Sequence, residues 1–345
     1  MNIYQESGFL DYARIIEMKY PLTIIYGGRG TGKTYGALKY QIIDQDRQPF
    51  IYMRRTGQQL KAIKKPELNP FGPINNDFQK SIELKSADDF IRIQDGDDVD
   101  DDGLPLMVGY AAALSTFANL RGFGAEWVQR IIYDEFIPEK HEKKMKYEAD
   151  ALWNAWETIN RNRELKGQDP VQLVLLSNSN ELANTIFMSL GIVEIAQRLR
   201  ESGENVYQNR KRGLLIVDMI DSPISRAKAA TAIYKAVGTG SEFGRMALEN
   251  EFAYDDISDQ IGSRHLKEYR PIVTIGEITI YKHKSEKLWY VSPHRSGAPD
   301  TYGTGETDKR RFIKKYWMIW NRHLDGQVSF ENYTCQALFE RIYGL

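Results

Sequence analysis

Gly27, Gly32, Lys33 and Thr34 fall at the spacing G-x-x-x-x-G-K-[ST] inside the stretch YGGRGTGKTYGALKY. Gly27, Gly28, Gly30 and Gly32 let the backbone curl until consecutive N–H groups, Thr31 among them, point inward at phosphate oxygens. A helix beginning at Lys33 adds the positive end of its dipole. The Lys33 ammonium then reaches the β- and γ-phosphates, and the Thr34 hydroxyl ligates Mg²⁺. A plain glycine turn would need neither the Lys-Thr pair nor the strand and helix on either side. Arg29, in the middle of the loop, is the oddity. Its permanent charge can extend over the γ-phosphate or toward a subunit boundary.

The stretch RIIYDEF supplies the complement. Ile131, Ile132 and Tyr133 read as a buried strand whose end presents Asp134 and Glu135. Asp134 is placed to hold Mg²⁺ and Glu135 to polarise the attacking water. A carboxylate in that second position points to hydrolysis rather than transfer to a substrate hydroxyl. VQLVLLSNSN ends in Ser177 and Asn178, and the Asn178 amide suits a γ-phosphate or water contact; capping the next turn is its structural alternative. The chain has no N-K-x-D tetrapeptide, which a GTPase switch would want. ATP with Mg²⁺ is the expected substrate pair.

Three arginines are candidates for a finger offered to a neighbouring subunit. Arg161 and Arg163 end the helical stretch TINRNREL, where basic residues also complement the dipole. Arg121 lies in the glycine-flanked ANLRGFGAEW. Two basic patches follow the second and third strands: Arg54, Arg55, Lys61, Lys64 and Lys65, then Lys140, Lys143, Lys144 and Lys146. Both leave the sheet edge where α/β proteins bind ligands, so they can face DNA phosphates or remain a solvated mixed-charge surface. Arg54 and Arg55 are nearest the sheet and can serve the nucleotide instead.

The elements that must position these residues alternate between apolar runs and helical patterns, as in an α/β protein. YPLTIIYGG, QPFIYMRR, RIIYDEF, VQLVLLSNSN and RGLLIVDMID read as strands apolar throughout, the mark of a parallel sheet covered on both faces. Between the second and third lies a hairpin, FIRIQDGDDVDDDGLPLMVGYAAAL. Asp98, Asp100, Asp102 and Gly103 occupy the first, third, fifth and sixth positions of a calcium loop. Gly109 stands where its bidentate Glu belongs, so the run reads as a solvated hairpin tip. From about Tyr269 the pattern changes to alternating strands of antiparallel type, then a Gly/Pro/Thr-rich loop and two amphipathic segments. No internal repeat is visible.

The bulk properties agree. A chain of 345 residues argues for two domains, since single cores rarely grow past about 250–300 residues. A net charge of −1 excludes a uniformly basic coat for nucleic acid. The lone Cys335 excludes an intrachain disulfide and reads as a small core residue in a reducing cytoplasm. No signal-peptide pattern opens the chain, and its apolar runs are too short to span a bilayer.

In this order and at similar spacing, GGRGTGKT, FIYMRR, IIYDEFIPEK, TINRNRE and LLSNSN resemble the DNA-packaging ATPases of phi29-like tailed phages, small relatives of terminase large subunits. The similarity runs through most of the chain, including NYTCQALFERIY, and is most specific before about residue 255. It implies an additional-strand (RecA/ASCE-like) P-loop sheet flanked by helices, with a smaller α+β, RNase H-like domain. The expected divisions are an ATPase domain at 1–212, a lid or linker at 213–262 and a vestigial nuclease-like domain at 263–345. It implies a ring, commonly pentameric, docked on the portal vertex of a prohead and driving double-stranded DNA inward with ATP, in some members with a packaging RNA. Such a protein works in the host cytoplasm and is absent from the mature virion. By resemblance Arg29 acts in cis on phosphate, Arg161 is the trans finger, and Arg121 lies near the subunit boundary. Terminase nucleases need clustered carboxylates holding two metals about 3.5–4 Å apart. Glu277 and Glu286 in the antiparallel strands, with Asp300, Glu306 and Asp308 in the glycine-rich loop, do not supply that pattern. Nuclease activity is therefore not expected. A ring helicase or helicase loader, and a P-loop switch or small-molecule kinase, are the alternatives.

Overall fold

The computed structural model describes residues 2–44, 49–87, 90–120, 126–138, 145–178, 181–219, 222–228, 230–238 and 260–344. Arg121, Lys140, Lys143 and Lys144 lie outside them. The chain divides into two compact units, Met1–Glu181 with Arg198–Phe252, and Leu182–Gln197 with Ala253–Leu345.

In the first unit β1 (Leu22–Gly27), β2 (Phe50–Arg54), β3 (Ile82–Ala87), β4 (Phe90–Val99), β5 (Pro105–Ala113), β6 (Arg130–Asp134), β7 (Gln172–Ser177), β8 (Val206–Asn209) and β9 (Leu214–Met219) form one sheet. Their order is β3-β4-β5-β2-β6-β7-β1-β9-β8. The six strands from β5 through β9 in that order run parallel, with antiparallel strands at both edges. β1, β6 and β9 are buried at every residue, which is why they read as unbroken apolar runs. β7 lies between β1 and β6, the additional-strand arrangement. It brings the ends of β1, β6, β7 and β2 to one sheet edge.

The structure departs from the sequence reading at three places. The expected hairpin forms, but β5 also pairs in parallel with β2, so one arm belongs to the main sheet. Gly109 permits this: a Cβ there would lie 2.7 Å from the Phe50 carbonyl oxygen. At the tip, Asp100 accepts from the backbone N–H groups of Asp102 and Leu104, an ordinary Asx turn. Second, β3 and β8 were not legible; both are short edge strands of mixed polarity. Third, the divisions at 212 and 213 do not follow the packing. β9, at the head of the supposed linker, sits beside β1 in the sheet. Conversely, Leu182–Gln197 belongs to the second unit, where Asn332 donates to Glu194 at 3.0 Å.

The second unit holds β10 (Tyr269–Ile275), β11 (Ile278–His283), β12 (Trp289–Ser292), β13 (Asp300–Tyr302) and β14 (Val328–Phe330), in the order β13-β10-β11-β12-β14. The first three form the expected antiparallel meander, with β13 parallel to β10 and β14 parallel to β12. Phe312 and Ile319 of the helix Glu306–Leu324 and Phe339 of the helix Tyr333–Tyr343 fill the core against Val273, Ile280 and Val291. Cys335 lies in this core, and burial pushes its thiol up to about 12. Among the described residues no helix is long and apolar enough to cross a membrane.

Candidate active site

The glycine-rich loop runs from the end of β1 into the helix Lys33–Lys39. Gly27, Gly30 and Gly32 have φ of +135°, +63° and +90°, conformations that side chains resist. The Lys33 ammonium is buried and folded back onto the loop. It donates to the carbonyls of Gly27 (2.9 Å) and Gly28 (2.6 Å) and to the Thr31 hydroxyl (3.2 Å). Burial is the main cause that lowers it to about 7. Thr31 is itself buried and donates to the Gly28 carbonyl. Arg29 is exposed at the rim of the loop.

Beside the loop, the Thr34 hydroxyl donates to Asp134 at 3.0 Å. A hydroxyl and a carboxylate that already touch form the hard-oxygen pair a Mg²⁺ ion requires. Two groups of β2 complete the cluster. Tyr52 donates to Asp134 at 2.7 Å, and one Arg54 nitrogen reaches the same carboxylate oxygen at 3.2 Å. Another Arg54 nitrogen is paired with Glu135. Burial alone would lower the Arg54 pKa, but Tyr52, Asp134 and Glu135 around it raise it overall. Glu135 itself follows β6 in a left-handed turn, φ +55°, that swings its side chain toward Arg54.

Strand periodicity sorts the two adjacent arginines. In register, Tyr52 lies opposite Ile132 and Met53 opposite Tyr133, so Arg54 and Asp134 share one face. Arg55 turns to the other face. There it is 1% exposed and pairs with Glu148 through Nε (2.8 Å) and Nη2 (3.2 Å), while Tyr133 donates to the same carboxylate at 2.8 Å. Arg55 is thus a core residue, a correction to its place in the basic patch. Lys61, Lys64 and Lys65 are exposed, as is Lys146. Tyr52 was missed, although its position two residues before Arg54 in an apolar strand was the available signal. The N-terminal segment was missed too: Leu10 donates its N–H to the Thr31 carbonyl, and Phe9 packs over Gly32.

Asn178 stands just past β7, between the ends of β1 and β6. Arg161 lies elsewhere. It ends the helix Glu148–Asn160 with φ +43°, its Nε donating to the Thr158 carbonyl. Asn160 accepts from the N–H of Val171, the residue before β7. Arg161 therefore sits at the starting edge of the parallel strands, one strand length (roughly 20 Å) from the loop edge. Beside it, Arg163 is 6% exposed and donates to the Glu126 carbonyl at 2.7 Å.

In the second unit Glu277 and Glu286 occupy the two hairpin turns at opposite ends of β11. Asp300 is paired with Lys315 and Tyr316, and Asp308 accepts from the Gly303 N–H.

Comparison with known proteins adds a family, two relatives and two solved structures. A family model described as Podovirus DNA encapsidation protein (Gp16) matches residues 3–289. A DNA packaging protein of Bacillus phage B103 is 26% identical over 346 residues, covering 95% of this chain and 96% of the relative. That of Bacillus phage phi29 is 29% identical over 257 residues, covering 73% and 66%. Among solved structures, a chain of the bacteriophage Phi-29 viral genome packaging motor assembly aligns with TM-score 0.67 at 19% identity, over 97% of this chain and 98% of its own. A chain of the Phi-28 gp11 DNA packaging motor aligns with TM-score 0.63 at 16% identity, over 98% of each.

Proposed function

The chain belongs to the podovirus DNA encapsidation (Gp16) family, and from that premise we propose that it is an ATP-driven translocase that packages double-stranded DNA into a prohead. The observation that carries the reading is the continuous cluster Thr34–Asp134–Arg54–Glu135 beneath a phosphate loop. It is the apparatus of nucleotide hydrolysis, joined to a family whose members encapsidate DNA.

The residues divide the work as follows. Lys33 exchanges its loop carbonyls for phosphate oxygens, and the loop N–H groups complete the anion cradle. Thr34 and Asp134 would hold Mg²⁺, which supplies charge neutralisation to the phosphates. Glu135, once parted from Arg54, accepts the proton of the attacking water. Asn178, at the end of the interposed strand, orients that water or senses the terminal phosphate. Arg161, one strand length from its own loop, acts on a neighbouring subunit in a ring; a pentamer is the family's common form. Arg29 covers the terminal phosphate in cis. Exposed Lys61, Lys64 and Lys65 meet DNA backbone, and the ring docks at the portal vertex, with or without a packaging RNA. The second unit carries no nuclease activity, Glu277 and Glu286 being split between opposite turns, and Asp300 and Asp308 engaged by Lys315, Tyr316 and Gly303.

The test is hydrolysis of ATP by the wild type and Glu135→Gln with double-stranded DNA, single strands or none. Stimulation by duplex is expected, with Glu135→Gln binding ATP but turning over at least about a hundredfold slower. Single-strand stimulation with strand separation would favour a helicase. Incubation with Mg²⁺ or Mn²⁺ should leave DNA uncut; cutting that Glu277→Ala abolishes would overturn the nuclease-free assignment.

A further inference from the structure

The phosphate loop receives a second lysine that the motif does not contain. Met219, the last residue of β9, lies in register with Gly27, so β9 ends directly beside the loop. The short helix Pro223–Lys228 is anchored by Gly8 against Pro223 and by the buried Ser222 and Ser225. Its last residue turns back: Lys228 Nζ donates to the Arg29 carbonyl and lies over Gly30, where any Cβ would collide with it. Among the described residues no carboxylate is paired with this ammonium. Burial lowers its pKa, and its charge in turn lowers that of Lys33.

Two ammonium groups thus converge on one loop, each held there by backbone carbonyls alone or with a hydroxyl. Carbonyl dipoles compensate a half-buried cation poorly, and a multivalent anion placed between the two would relieve both. We propose that Lys228 is a second phosphate-binding lysine of this site, donating to the terminal phosphate of a bound nucleoside triphosphate. The assignment rests on the nucleotide reading above. It gives the segment after β9 a direct interest in whether that phosphate is present: with the triphosphate it is held to the loop through charge, and with the diphosphate only through the Arg29 carbonyl.

The experiment is calorimetric titration of the full chain, in the Glu135→Gln background, with ATP and separately with ADP. Lys228→Gln should weaken ATP binding about tenfold and ADP binding less than about threefold, the difference expected for one charge-assisted hydrogen bond. Lys228→Arg should restore most of the ATP affinity, which a merely structural role for the chain end would not require. ATP affinity unchanged in Lys228→Gln, or equal losses for both nucleotides, would overturn the proposal. In that event Lys33→Ala should still abolish binding, which keeps the nucleotide reading intact. Absence of nucleotide binding by the parent protein would overturn both.

Discussion

The Arg54 guanidinium is paired with Glu135 and, through a second nitrogen, with Asp134, so one cation bridges both acids at the end of β6 and offsets one of their two charges. Removing it leaves two adjacent carboxylates without a shared counter-ion. Arg54→Ala should therefore bind Mn²⁺ severalfold more tightly than wild type in the absence of nucleotide, read by electron paramagnetic resonance. Equal affinities would mean that the guanidinium does not hold the acids in solution.

If Lys33 binds phosphate as proposed, nucleotide binding should depend on pH. Burial lowers the Lys33 pKa most, Asp134 pulls it back up, Lys228 lowers it further and Asp218 raises it, leaving it at about 7. Above that pH the amine is neutral before binding, whereas a phosphate ligand favours the ammonium. ATP affinity should fall as pH rises past about 7, by up to about tenfold per unit. At pH 8, titrations in two buffers of different ionisation enthalpy should reveal uptake of close to one proton. For stability the sign is opposite. The folded value lies below the ordinary 10.5, so the unfolded chain holds more protons between the two, and nucleotide-free stability rises with pH across that window.

Arg55 and Glu148 are buried together. Arg55→Ala strands the Glu148 carboxylate and should cost about 3–5 kcal/mol in urea denaturation, while a paired Arg55→Met, Glu148→Leu variant should recover most of that loss. If Arg55→Ala instead unfolds at the wild-type midpoint and loses DNA affinity, Arg55 belongs to a DNA surface after all.

Arg161 and Asn162, just past the helix Glu148–Asn160, both adopt positive φ, +43° and +57°, which turns the chain sharply at the arginine. Arg161→Ala subunits mixed with Lys33→Ala subunits should regain part of the ATPase activity that each lacks alone. No recovery at any mixing ratio would argue against service to a neighbour. Arg163, held by the Glu126 carbonyl, should not substitute for Arg161.

The nucleotide half of the molecule was legible because its determinants are local. A phosphate loop needs glycines at set spacing, and buried parallel strands need unbroken apolar runs. β1, β6, β7 and the residues Lys33, Thr34, Asp134 and Glu135 could accordingly be read in order. The sequence also identified the meander of β10–β12, through its alternation. What it could not decide depends on which strands become neighbours. Arg54 and Arg55 are identical by composition and adjacent in the chain, yet the pleat sends one to Asp134 and Glu135 and the other into the core. Lys228 lies 195 positions from Lys33 in the sequence, and only the pairing of β9 with β1 brings it to the loop. Residue spacing dictated the local chemistry; sheet order, set by long-range packing, chose its companions.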